Sequence, residues 1–264
     1  MGFPRQLDLF MQLPPPEPPA SASARRTAAL NPVTLDDDAL LEALPQARRD
    51  DCQALADELV RRRPPGGIAA LDSLSRRFCG FGLNGVVAEQ ATALRALAQI
   101  GGRDAARTIA RIIADGVVAD PGLPTALQAA ADLHSDLPQD IALRLLRHAN
   151  PAVRAPAALL APARPDITAI LLDLLHDLNA GVADAAALSL ARTGRTEARP
   201  RLLHLLHTAP AADIIEAIAE IADETCIVAL NRAARARPEW RPHIIDALET
   251  IGSDLALRVA ASLE

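Results

Sequence analysis

The stretch from Ala149 to Leu206 contains one unit twice, and this repetition limits the fold more than any other feature of the chain. A short Ala/Leu helix begins near Val153, a turn follows, and a Leu-rich helix ends at His176-Asp177. The pattern restarts at Val182 and closes on Leu205-Leu206. Ile214 and Ile244 fit as further restarts, so successive starts lie 29, 32 and 30 residues apart. A period of this length marks an all-α solenoid: one helix pair cannot bury its apolar face alone, and stacked pairs share a continuous core. Composition agrees with that architecture. Hydrophobic residues make up 50% of the chain and aromatic ones only 2%. A core of Ala, Leu, Ile and Val suits close-packed helices and argues against a β-sandwich or barrel.

The chain divides into a tail, residues 1–33, and a helical body, residues 34–264. Pro14 to Pro18 holds four prolines in five residues, and small polar residues continue to Asn31-Pro32, which predicts a semi-rigid spacer rather than a folded element. The body opens with cap helices over residues 34–83. Thr34 is expected to cap the first of them, with Asp36, Asp37 and Asp38 in its first turn facing the positive end of the helix dipole. A second helix starts near Ala47 and stops at Arg61-Arg62-Arg63-Pro64-Pro65, and a third covers Ile68 to Phe78. Cys79 to Gly85 is the most glycine-dense point and predicts a sharp connection. Six helix pairs follow over residues 84–264. Prolines 121, 138, 151, 200, 210, 238 and 242 fall at or near their predicted helix starts, where the missing N–H costs least.

Here the residues resemble a known family. Asn150-Pro151-Ala152-Val153-Arg154, followed by Ala157, Ala158 and Leu160, is similar to the first helix of a HEAT repeat of the PBS-lyase type. Val182 with Ala185, Ala186, Leu188, Leu190 and Gly194 is similar in the same way. The resemblance implies that Asp177 ends a second helix and faces the Arg of a neighbouring repeat. Arg154 fits that Arg position, but Ala183 replaces it in the next copy, so the charge ladder is expected to break there. HEAT arrays serve as scaffolds and adaptors and occasionally as enzymes, so the likeness speaks to fold far more than to activity.

A second resemblance lies in the tail. Gln6-Leu7-Asp8-Leu9-Phe10 resembles the pentapeptide with which bacterial replication and repair proteins bind the DNA sliding clamp, and agrees with it at all five positions. The likeness implies that Gln6 enters a small polar pocket and that Leu9 and Phe10 anchor the peptide in an apolar one. Leu7 would pack at the rim, with Asp8 facing outward or meeting a polar group. A chance match of this kind is expected on the order of once per thousand proteins. The alternative is that the apolar segment packs back on its own body.

The remaining signals exclude more than they offer. The 27 basic residues are all Arg, which genomic base composition explains, and the net charge of −6 gives no general attraction to nucleic acid or anionic membrane. Cys52, Cys79 and Cys226 are isolated, which indicates neither disulfides nor zinc, and Cys226 has nothing basic beside it in sequence to activate a thiolate. No apolar run approaches the ~20 residues of a membrane span, so a cytoplasmic protein is expected. His204 and His207 lie one turn apart without a third ligand nearby, and an ordinary polar helix edge explains them. Arg61 to Arg63 with Arg76-Arg77 fit solvated helix ends better than a phosphate site. No nucleophile–base pair is present, and no cofactor is implied. The expected function is a non-enzymatic scaffold in replication or DNA repair, carrying a protein on its concave face and tethered to the clamp through Gln6–Phe10. HEAT-like DNA glycosylases are the enzymatic alternative, and here only Trp240 and Asp246 could serve such a groove. A HEAT scaffold unrelated to DNA is the third. A pigment-handling HEAT protein would need an aromatic-lined pocket that this composition does not supply.

Overall fold

The computed structural model describes residues 31–264, and residues 6–10 lie outside them. Among the described residues there are fifteen α-helices and no strand. The body begins with a 3-10 turn, Pro32–Thr34, closed by the Asn31 side chain on the Val33 amide. Arg62 holds this segment from a distance, donating to the carbonyls of Val33 and Leu35 at 3.1 and 2.6 Å. Helix α1 (Asp37–Ala43) is capped by Asp36 rather than by Thr34. Asp36 takes the Ala39 amide at 2.8 Å, whereas the Thr34 hydroxyl turns back to the Asn31 carbonyl. The expectation of Thr34 as the cap fails because the 3-10 turn engages its hydroxyl, and Asp36, expected inside the first turn, stands just before it and caps instead.

Helices α2 (Arg49–Arg62) and α3 (Gly67–Arg77) complete the cap. The glycine-dense connection follows, with Gly80 and Gly82 in the left-handed region at φ 83° and 84°. A Cβ on Gly82 would lie 2.9 Å from Val87 and 3.0 Å from the Gly85 carbonyl, so the turn is too tight for a side chain. Six helix pairs then run to the end of the chain. They are α4 (Ala88–Ile100) with α5 (Gly102–Ala114), α6 (Leu123–Asp132) with α7 (Gln139–Leu145), and α8 (Pro151–Leu159) with α9 (Pro165–Leu174). The last three are α10 (Ala180–Arg192) with α11 (Arg199–Thr208), α12 (Ala212–Glu220) with α13 (Glu224–Ala236), and α14 (Arg241–Ile251) with α15 (Asp254–Ala261). The expected pairs are present with ends shifted by a few residues, as frayed or 3-10 turns commonly shift them.

The first helices, α4, α6, α8, α10, α12 and α14, pack one on the next in an unbroken series, joined to the cap through α2 and α3. This layer is poor in large side chains because its neighbours leave little room. Helix α10 shows the extreme case, with Val182, Ala183 and Ala185 to Ala191 all buried. Alanine at Ala157, Ala158 and Ala186 lets α8 and α10 approach closely, and Leu190 is fully buried in α10. No helix of the described residues is long and apolar enough to cross a membrane.

Candidate partner-binding surface

The pair α8–α9 carries the clearest electrostatic joint. Arg154 sits in the first turn of α8, and its guanidinium meets both oxygens of Asp177 at 2.9 Å. Its remaining donor reaches the carbonyls of His148 and Ala149, each at 2.8 Å. The hydrogen bonds from Arg154 hold the Asp177 carboxyl below the ordinary carboxylate range, against the opposing effect of burial. The partner expected in a neighbouring repeat is therefore met inside one pair, and the link to the preceding pair runs through backbone carbonyls instead. The ladder does break at Ala183, which is buried and apolar. Asp184, one residue on, takes over with a 2.6 Å contact to Arg201 of α11.

Arginine also closes other helix ends. Arg237 donates to the His207 carbonyl at 3.0 Å, Arg199 to Ile221 at 3.1 Å and Arg192 to Leu159 at 3.3 Å. The arginines near the cap are used in the same way and are not merely solvated. Arg61 and Arg62 converge on Glu58 and hold its carboxyl down at about 2, while Arg76 bridges Asp72 and Asp115. Arg77 donates to the Ala47 carbonyl at 2.9 Å and lies over the Phe78 ring at 5.1 Å.

The exposed edge of the first-helix layer is the surface left for a partner. Aligning each first helix on the turn that ends it gives a row six residues before the turn: Arg95, Gln128, Ala155, Leu188, Glu216, Asp246. The row two residues before it reads Gln99, Asp132, Leu159, Arg192, Glu220, Thr250. Both rows change along the array. They are polar at α4 and α6, apolar at Ala155, Leu159 and the buried Leu188, and carry carboxylates at Glu216, Glu220 and Asp246, with Arg192 and Thr250 departing from the trend. A hollow of about 490 Å³ between α4 and α6 is bordered by Arg95, Gln99, Gln128 and Asp132. Between α12 and α14, one of about 340 Å³ is bordered by Glu216, Glu220, His243 and Asp246 over a floor of Ile215 and Ala247. Sequence reasoning missed these rows, although counting back from Gly101, Gly194 and Gly252 in the aligned repeats would have found them.

The other sequence candidates are placed as follows. Trp240 lies in the 3-10 turn before α14, half-buried, with its ring 5.4 Å from that of His243. Asp246 shares its hollow with two further carboxylates and no basic side chain except His243. His204 and His207 are both exposed on α11. Among the described residues no group of three or more His, Cys, Asp and Glu side chains is spaced to hold a metal. Cys52 is buried, and burial pushes its thiol up to about 11. Cys226 is buried as well and its thiol is also raised, chiefly by burial. Sequence proximity had shown nothing basic beside Cys226, yet the fold brings up Arg199, which is paired at 2.8 Å with Asp223. Its pull toward the thiolate is outweighed by burial.

No family model matches the chain. No curated protein matches it either. Among solved structures the chain is similar to the X-ray structure of YibA from Escherichia coli, at 18% identity and a TM-score of 0.52, over 83% of this chain and 93% of that one. At this identity the likeness shows a shared helical fold.

Proposed function

We propose that this protein is a non-enzymatic HEAT-type scaffold, held at the bacterial sliding clamp through Gln6, Leu7, Asp8, Leu9 and Phe10, and serving replication or DNA repair. The observation that carries the reading is the agreement of all five residues with the clamp-binding pentapeptide, followed by a proline-rich stretch. Such a segment gains from being held away from a folded body, because a tether raises the local concentration of whatever the body carries. The HEAT assignment draws support from the series of stacked first helices and from their small residues at α8 and α10. The carried partner is a protein, bound on the exposed edge of the first helices. Glu216, Glu220 and Asp246 make no ion pair among the described residues, which favours a protein over a polyanion on that edge.

Binding of the full-length chain to a bacterial clamp, measured beside a Leu9→Ala/Phe10→Ala double variant, tests the tether. Micromolar affinity that the double variant loses, with unchanged thermal unfolding, is the expected outcome. Equal binding by both chains, or none by either, would sink the tether and leave a scaffold acting elsewhere.

A further inference from the structure

The connection between α3 and α4 carries an apolar patch that the described residues leave uncovered. Phe81, Leu83 and Val86 stand close together in it, exposed at 63%, 77% and 53%. The other large apolar residues exposed among the described residues, Val33, Leu178, Val228 and Leu257, are scattered singly along the sequence, as surface residues of this kind commonly are. The patch has a defined shape. Phe81 meets the Phe78 ring edge-on at 6.2 Å, and the Gly82 turn, too tight for a side chain, fixes the backbone between Phe81 and Leu83. Its charge is also unbalanced. Arg76 is spent on Asp72 and Asp115. Arg77, which lies over Phe78, is exposed and donates to the Pro45 and Ala47 carbonyls through one nitrogen, but makes no ion pair among the described residues. A short apolar segment carrying one carboxylate fits such a surface.

One segment of the chain itself has that chemistry. Leu7-Asp8-Leu9-Phe10 sets a single carboxylate among three large apolar side chains. It is also within reach. Arg62, the last residue of α2, donates to the Pro32 carbonyl at 3.2 Å, so the described chain begins beside that end of α2. Arg77 donates to the Ala47 carbonyl at 2.9 Å, which sets the patch near the opposite end. For a helix of 14 residues the two ends are about 21 Å apart. Between Phe10 and Asn31 lie 20 residues. A flexible chain of that length spans about 25 Å, and one fully extended as polyproline about 60 Å. Linker and span match, which raises the local concentration of the segment at the patch to the order of millimolar. A small apolar contact that is weak between separate molecules is substantially populated at that concentration.

We propose that residues 6–10 dock on the connection between α3 and α4, with Leu9 and Phe10 against Phe81 and Leu83 and with Asp8 facing Arg77. Clamp and patch then compete for one segment, so that the segment is covered until a clamp takes it. The competition rests on the clamp reading, whereas the docking does not. The test is methyl NMR of the full-length chain labelled at Leu and Val. The Leu83 and Val86 methyl resonances should differ between the native chain and Leu9→Ala/Phe10→Ala, independently of protein concentration, and a peptide of residues 1–13 added to the double variant should restore the native shifts in a saturable way. Identical resonances in the two chains would overturn the docking. Shifts that grow with protein concentration would overturn it too, since a second copy would then occupy the patch. Phe81→Ser/Leu83→Ser changes exposed positions only and should bind a bacterial clamp about threefold more tightly than the native chain, because more of the segment is free. Equal affinity would overturn the competition. Failure of the 1–13 peptide itself to bind the clamp would sink the tether and the competition together, while the methyl comparison decides the docking by itself.

Discussion

Four acceptor atoms meet the Arg154 guanidinium: two on Asp177, and the carbonyl oxygens of His148 and Ala149. Both charged side chains are largely buried, at 17% and 9% exposure, so losing one leaves the other poorly solvated. Arg154→Ala should therefore cost about 2–3 kcal/mol in urea unfolding. Arg154→Lys should recover only part of that, since an ammonium cannot match the two-oxygen geometry. Sequence marked Arg154 and Asp177 as charged positions of the repeat but placed the partner of Asp177 in a neighbouring repeat, so it did not show that the two close a single pair. The distance between Arg154 and Asp177 along the chain fits either arrangement, and packing alone decides. Glu58 gives a pH prediction at the same scale. Its folded value of about 2 lies below the ordinary 4.5, so its contribution is complete above 4.5 and is lost as pH falls toward 2. Stability should decline over that window in the native chain and decline less steeply in Glu58→Gln, as followed by denaturant midpoints at stepped pH.

Helix α8 carries a proline in its interior, Pro156, with the preceding turn already begun at Pro151. The second proline cannot donate to the Ala152 carbonyl, so a short helix loses one of its few internal bonds. Pro156→Ala should restore it. The gain is partly offset because the unfolded chain becomes freer, and a net stabilisation of about 1 kcal/mol is expected in thermal unfolding. A fall in stability would mean that the Pro156 ring contributes packing worth more than the lost bond. The element scale is where the sequence was most legible. Apolar periodicity and proline position located the pairs, since both act within one helix and its nearest turn. Less legible were features that depend on register between helices. The exposed rows from Arg95 to Asp246 emerge only when repeats of unequal length are aligned on their turns. The Arg199 approach to Cys226 likewise joins residues far apart in the chain.

In a stack of pairs each unit is stabilised by its neighbours, and the final unit has a neighbour on one side only. Here the pair α14–α15 packs on α12 and α13 and on no other pair among the described residues, whereas α10 is enclosed by α8, α9, α11 and α12. The single Trp of the sequence, Trp240, lies in the turn that leads into α14 and packs on α13 and α14, so it reports on the junction of the last two pairs. Leu248 is fully buried within α14, and truncating it to Ala should remove about 2–4 kcal/mol from that pair. Since the rest of the stack keeps its own contacts, the loss should not spread evenly. In Leu248→Ala the Trp240 fluorescence transition should move to lower denaturant than the loss of helical circular dichroism, whereas Leu59→Ala in the cap should leave Trp240 near its original midpoint. If both signals moved together in both variants, the array would be unfolding as one cooperative body. The end pair would then be bound to the stack as firmly as the centre, and loss of the α14 hollow with its acidic border would require unfolding the whole chain rather than fraying one end.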